Sequence, residues 1–453
     1  MINENSIEEN IKIDSQYQGR HLYIDPYFFI SILVVVVASI LGKNHSTISS
    51  LIVIGMYSLL FFRPQYMVGT LIYMTIFDDY LLAFNSQSYS RYFVLIFVLS
   101  TLFITLANKD RISSHSRNIL YVLFLAVFGV LLSWHGLYGY TSFPMVYLIN
   151  ILMLIGFMLC PIHNPAKLLQ QIKTITVIAV VYLLYIMIKG NVSSMSAGQR
   201  FTVEADVNAN QFAIGIAILT VIIVGCFLIN NMNGKLPYGI SLIIALISLF
   251  LTGSRSGLIA AVCSSVMILL LYLIVKANYK GKGLILIIAL AGMLIGLYYY
   301  LQIRYPELMS RFTVQSISAS GGTHRLAIWG AFLKNDFSTH WLLGIGFDPE
   351  NMVSCTRKYL GMSYGAHNFI IDILARSGII GLILYMKFFI GALKQFIKHY
   401  KYNDWQILSI GMLICTFANG IGENVLTGRF IWLALGLGFL LMNNVEEYNE
   451  VTK

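Results

Sequence analysis

The sequence predicts an all-α, polytopic membrane protein with about fourteen transmembrane helices. Three observations carry that expectation. The 453 residues are 57% hydrophobic and only 11% charged, whereas soluble domains carry about 25% charged residues. The mean hydropathy is +0.74. The apolar residues also gather into repeated runs near the ~20 residues that cross a bilayer as a helix.

The runs lie near 23–42, 47–62, 66–84, 92–108, 118–134, 144–160, 169–188, 211–230, 238–252, 256–275, 283–302, 369–390, 405–420 and 427–442. Residues 1–22 form a polar tail with no signal-peptide character, and residues 443–453 form a second tail. Basic residues in short loops set the orientation. With the N-terminus in the cytoplasm, the cytoplasmic segments hold Arg63, Lys109, Arg111, Arg117, Lys167, Lys235, Lys276, Lys280, Lys282, Lys394, Lys398 and Lys401. Apart from the large segment 302–367, the opposite loops hold only Lys43, Arg91, Lys189, Arg200, Arg255 and Arg429. Both termini are therefore expected in the cytoplasm. The net charge of +10 follows from this bias, and no basic stretch interleaved with aromatics points to nucleic acid.

Cys160, Cys226, Cys263 and Cys415 fall in or at the ends of apolar runs, and Cys355 lies alone in a polar loop. No spacing suggests zinc or a disulfide framework. Two outward segments are long, 189–210 and 302–367, and loops of such length are usually functional or disordered. Within the second, a large extracytoplasmic loop at 303–367, Leu326, Trp329, Phe332 and Leu333 fall at helical spacing. That pattern predicts a helix near 323–335 lying at the membrane surface.

The candidate chemistry lies in four outward segments. In the stretch AHNFIIDILARSGIIG, Asn368, Asp372 and Arg376 are spaced i, i+4 and share a helix face. That face must meet protein or a wet cavity. Asp372 and Arg376 can neutralise each other and lock two helices together. His367 caps the stripe, where an imidazole either accepts a proton from substrate or is satisfied by loop carbonyls. In LTGSRSGLIA, Arg255 opens a helix beside Gly253, Ser254 and Gly257. A cation there opposes the helix dipole, which an anionic ligand would relieve; headgroup anchoring is the alternative. In GQRFTVEADVNANQFA, Arg200 either pairs with Glu204 or reaches a ligand, and Asn210 is placed to cap the next helix. Arg325, with Trp329, would project from the surface helix. A guanidinium binds phosphate through paired hydrogen bonds and keeps its charge, so several on one face make a diphosphate clamp. Asp78 and Asp79 read as solvated carboxylates at a span end, with a metal as the alternative. Glu423 and Arg429 read as a local ion pair.

These pieces, in this order, resemble the O-antigen polymerase and O-antigen ligase superfamily of bacterial envelope enzymes. The resemblance covers about the C-terminal half. It rests on Arg200 with Asn210, on TGSRSGLIA, on Arg325 with Trp329, on LLGIGF at 342–347, and above all on AHNFIIDILARSGIIGLILY. It implies a membrane glycosyltransferase of the C-type architecture in the cytoplasmic (inner) membrane, working at the outer face without cofactor or metal. Its donor would be a glycan on undecaprenyl diphosphate. Arg200 and Arg255 would hold the diphosphate, and Arg325 the donor or acceptor. His367 would orient or deprotonate the acceptor hydroxyl, and Asn368 would fix the helix entry; Ser254 and Trp329 complete the expected binding set. A polymerase of O-antigen or capsule is favoured over a ligase acting on lipid A–core or a protein, because the outer loop is moderate and the spans are many. A chain-length regulator and a flippase would be partners. A transporter of the same lipid-linked unit is the third reading, disfavoured because the charges sit at span ends and the halves are unlike.

Overall fold

The computed structural model describes residues 25–41, 47–81, 83–84, 87–88, 90–107, 116–134, 144–189, 192–193, 200–201, 209–230, 234–275, 280–310, 312–313, 325–424, 426 and 428–451. The N-terminal tail, the 135–143 loop, Thr323 and His324 lie outside these residues.

Each of the fourteen apolar runs contains a helix. In chain order these are α1 (Pro26–Leu41), α2 (Thr47–Ser58), α3 (Met67–Leu81), α4 (Ser90–Ala107), α5 (Ser116–Trp134), α6 (Met145–Leu159), α7 (Pro165–Lys189), α8 (Ala209–Ile229), α9 (Leu236–Leu251), α10 (Arg255–Val275) and α11 (Lys280–Arg304). The outer segment adds α12 (Pro306–Ser310), α13 (Arg325–Ala331), α14 (Phe337–His340) and α15 (Pro349–Leu360). Then come α16 (Phe369–Tyr400), α17 (Gln406–Asn419) and α18 (Arg429–Val451). The chain is a helical bundle. Its only described strands are two residues each: Val192–Ser193 pairs with Arg200–Phe201, and Ala83–Phe84 with Gln87–Ser88. Among the described residues four helices (α7, α8, α10 and α16) are long and apolar enough to cross a membrane, and eight more are shorter apolar helices. These make twelve apolar helices, against the fourteen spans expected.

The core is built around α8, whose side chains are buried on nearly every face. A helix apolar all round belongs in the middle of a bundle. It packs on α3, α7, α9, α10 and α17. Around it the buried apolar side chains form one continuous cluster that reaches from α1 to α18.

Arg63 and Lys167, assigned to one side, lie at one end of the bundle around Asp25 and Tyr27. Lys167 Nζ lies 2.9 Å from Asp25 Oδ2. Tyr66 also donates to that carboxylate, and the Arg63 guanidinium lies over the Tyr27 ring at 5.8 Å. At the same end Gln65 Oε1 accepts from the N–H groups of His163 and Asn164, at 2.8 and 3.2 Å.

The helix near 323–335 is present as Arg325–Ala331 and passes into a π turn over Phe332–Asp336. Ile328, Ala331 and Phe332 are buried, while Leu326 and Leu333 are exposed. Ile328 and Phe332 join Met352, Cys355, Ala366, Ile371 and Ala375 in a small second core. Cys355, read as a lone loop cysteine, is therefore a core residue of α15. Two of the last three helices also extend beyond their apolar runs, α16 to Tyr400 and α18 to Val451.

Candidate functional site

Three helices fix the level of the site. A Cβ on Gly411 of α17 would meet Val221 of α8 at 2.5 Å and Ile268 of α10 at 3.1 Å. Gly225 of α8 lies against Leu408 of α17 in the same way. Ascending α17 from Leu408 to Asn419 thus descends α8 from Gly225 toward Ala213, and α10 from Ile268 toward Gly257. The turn after α17, Gly420–Asn424, emerges at the end of the bundle where α8 and α10 begin.

Ala213 and Gly257 meet at that end. A Cβ on Gly257 would lie 2.8 Å from the Ala213 Cβ, so glycine allows the two helices to touch. Just beyond, Gly253 takes φ +61° and reverses the chain into α10. The buried Ser254 caps the helix, its Oγ accepting from the Gly257 N–H at 3.4 Å. Arg255 is half-buried at the first helical position. α8 starts at Ala209, so Asn210 lies in the first turn; the expected cap position falls one residue or more earlier. The Phe201 ring packs on Phe212, tilted by 57° with centroids 5.6 Å apart, which ties the strand Arg200–Phe201 to the first turn of α8. The Arg200 side chain lies outside the described residues, as do those of Asp78 and Asp79.

A second group gathers where α16 begins. His367 Nδ1 lies 3.2 Å from Glu423 Oε2, and Arg325 Nη2 lies 3.8 Å from Glu423 Oε1. The His367 N–H donates to Asn424 Oδ1 at 2.8 Å. Among the described residues His367 is the one non-glycine with positive φ, at +47°, a conformation that persists where surroundings impose it. Asn368 caps α16, accepting from the N–H groups of Ile370 and Ile371 at 3.0 and 3.1 Å. Its own amide donates to Ile421 O at 3.3 Å, and the Phe369 N–H donates to Gly420 O at 2.7 Å. The Trp329 indole N–H donates to Ala366 O at 2.9 Å, which binds α13 to the residue before His367.

Asp372 and Arg376 form a buried pair. Arg376 Nε lies 2.8 Å from Asp372 Oδ1, with side chains 4% and 0% exposed, and Nη1 donates to Phe347 O at 3.1 Å. The segment from Trp341 to Phe347 reaches further into the same helix. Gly378 breaks α16 with φ 61°, ψ −166°. The hydrogen bonds lost there, from Ile379 and Ile380 back to Ala375 and Arg376, are replaced through the loop. Ile379 donates to Trp341 O and Ile380 to Leu342 O, while Ile345 and Gly346 donate to Ala375 O and Arg376 O at 2.7 and 2.9 Å. The Ile379 and Ile380 amides and the Ala375 and Arg376 carbonyls thus all find partners, as a buried helix break requires.

Residues 240–386 match the family model described as O-antigen ligase. The match supports the O-antigen polymerase and ligase superfamily for this part of the chain. No curated protein matches the chain. The O-antigen ligase-type domain spans α9 to the region beyond the break in α16. It holds Ser254, Arg255, Arg325, Trp329, His367, Asn368 and the LLGIGF loop; Arg200, Asn210 and Glu423 lie outside it. The domain supports a polymerase- or ligase-type function, that of a glycosyltransferase-like membrane enzyme.

Sequence reasoning placed Glu423 with Arg429; in the structure the carboxylate faces Arg325 and His367. Proximity along the chain favoured the first pairing, and only the fold brings three distant segments to one carboxylate. Asn424 and Gly378 were not singled out. A signal existed for both: NGIGEN ends an apolar run with turn-forming residues, and ARSGIIG places a glycine inside a helical pattern.

Proposed function

We propose that the chain is the polymerase of a surface polysaccharide. It would transfer the growing glycan from undecaprenyl diphosphate to the next lipid-linked repeat unit on the outer face of the cytoplasmic membrane. The observation that carries this reading is the gathering of Ser254, Arg255, Asn210 and the Arg200 strand at the bundle end where His367 also lies. A polyprenyl diphosphate lies with its tail in lipid and its charge at the rim, so a site at a bundle end suits it.

On this reading the Arg255 guanidinium, at a helix start, receives the charge that builds on the departing diphosphate. The acceptor hydroxyl gives its proton to His367 as its oxygen bonds to the anomeric carbon. The bond from that carbon to the phosphate oxygen breaks, and the diphosphate leaves with the electron pair. Attack opposite the leaving group inverts the anomeric centre.

The test is an assay of the purified full-length chain with a defined lipid-linked repeat as the sole substrate. A ladder of lengths supports a polymerase. The matched family's description favours a ligase as second reading, and transfer seen only when lipid A–core is added would establish it. Transport of the lipid-linked unit without bond formation would replace both.

A further inference from the structure

We propose that Glu423 is the positioning residue of this site and that Arg325 serves Glu423 rather than the diphosphate. The inference rests on His367 being the proton acceptor. A carboxylate only accepts hydrogen bonds. Facing Glu423 Oε2 at 3.2 Å, Nδ1 of a neutral imidazole must therefore carry the proton. The lone pair then sits on Nε2, the nitrogen turned away from Glu423. This is the logic by which a carboxylate behind a histidine sets its tautomer and supports the imidazolium that forms.

Three consecutive residues of one turn act on His367 or on its neighbour. Gly422 lacks the side chain that would collide with Arg325; a Cβ there would sit 2.9 Å from Nη1. Glu423 divides its two oxygens between Arg325 and His367. Asn424 holds the His367 backbone N–H at 2.8 Å and so helps sustain φ +47°. Glu423 is only 16% exposed, while His367 is 31% exposed. The carboxylate is screened behind an imidazole that substrate can reach. The charge of Arg325 already faces an anion. A guanidinium so paired holds the carboxylate in place, and has less to offer a phosphate.

The proposal is tested on purified full-length protein in detergent, with wild type, Glu423→Ala, Glu423→Gln, Arg325→Ala, His367→Ala and the Glu423→Ala/Arg325→Ala double variant. Glycan transfer from defined lipid-linked repeats gives kcat and KM. Glu423→Ala is expected to lower kcat by about 10–100-fold with KM changed less than about twofold. Glu423→Gln, which keeps the shape, should lose less and guards against misfolding of the alanine variant. The double variant should be no worse than Glu423→Ala alone, because both substitutions remove one unit. Losses that multiply would return Arg325 to the diphosphate and overturn the proposal, as would full activity in both Glu423 variants. A second readout needs no turnover. Nitrogen-15 NMR of labelled histidine, assigned with His367→Ala, should show His367 protonated on Nδ1 in wild type and redistributed toward Nε2 in Glu423→Ala. An unchanged tautomer overturns the proposal. Wild type that makes no product from any lipid-linked repeat counts against the function proposed above, and the NMR arm still decides the role of Glu423.

Discussion

Gly378 and Leu342 lie so close that a Cβ on the glycine would overlap the leucine carbonyl. The contact exists because α16 is broken there and the loop backbone enters the break. With φ 61° and ψ −166°, the position is one that only glycine adopts without strain. Gly378→Ala should therefore cost on the order of 3 kcal/mol or more. Gly391, in the same helix, has open space around its Cβ position, and Gly391→Ala should stabilise by about 0.5–1 kcal/mol. Thermal unfolding in detergent should move the two midpoints in opposite directions.

The Asp372–Arg376 pair sits out of solvent. Removing one partner leaves a buried charge uncompensated, at about 3–5 kcal/mol. Asp372→Ala should lower the unfolding midpoint sharply. Replacing both with Leu and Met should recover much of the loss. A double variant as unstable as Asp372→Ala would show that the hydrogen bond from Arg376 to Phe347 O dominates.

Gly422→Ala should separate stability from activity. Its methyl would press on the far end of a flexible Arg325 side chain, which can swing away at little cost. The unfolding midpoint should change by less than that of Gly257→Ala, where the added methyl meets the Ala213 Cβ on a packed helix. Glycan transfer should nevertheless fall in Gly422→Ala, because Glu423 loses its cation. Wild-type rates in this variant would count against the proposed role of Arg325.

Asp25 gives the opposite end a defined acid response. Burial would raise its pKa, but the hydrogen bonds from Tyr66, Lys167 and the Tyr27 N–H prevail and hold it below the ordinary carboxylate value. A group with a lowered folded pKa stabilises above its unfolded pKa, and the stabilisation is lost as pH falls through the folded one. The unfolding midpoint of wild type should therefore decline below about pH 4. Asp25→Asn should be less stable at neutral pH, and its deficit should shrink on acidification. A deficit independent of pH would assign the effect to lost hydrogen-bond geometry.

The helices were legible because apolar periodicity and length decide them locally. Arg63 and Lys167, assigned to one side by loop charge, lie at one end of the bundle. The site was legible where a motif is contiguous, as with Ser254 before Arg255 and Asn368 after His367. It was not legible where a partner comes from far along the chain. Glu423 is 98 residues from Arg325 by numbering, and nothing local distinguishes it from a partner of Arg429.

The threading of Trp341–Phe347 through the gap in α16 has a bearing on protein engineering. The outer segment and its membrane helix exchange main-chain partners, so neither has a complete backbone without the other. A chimera that joins the outer loop of one relative to the following helix of another would mismatch four amides and four carbonyls at their shared seam. Functional hybrids should be recovered when crossover points lie outside residues 341–380, with the whole stretch taken from one parent.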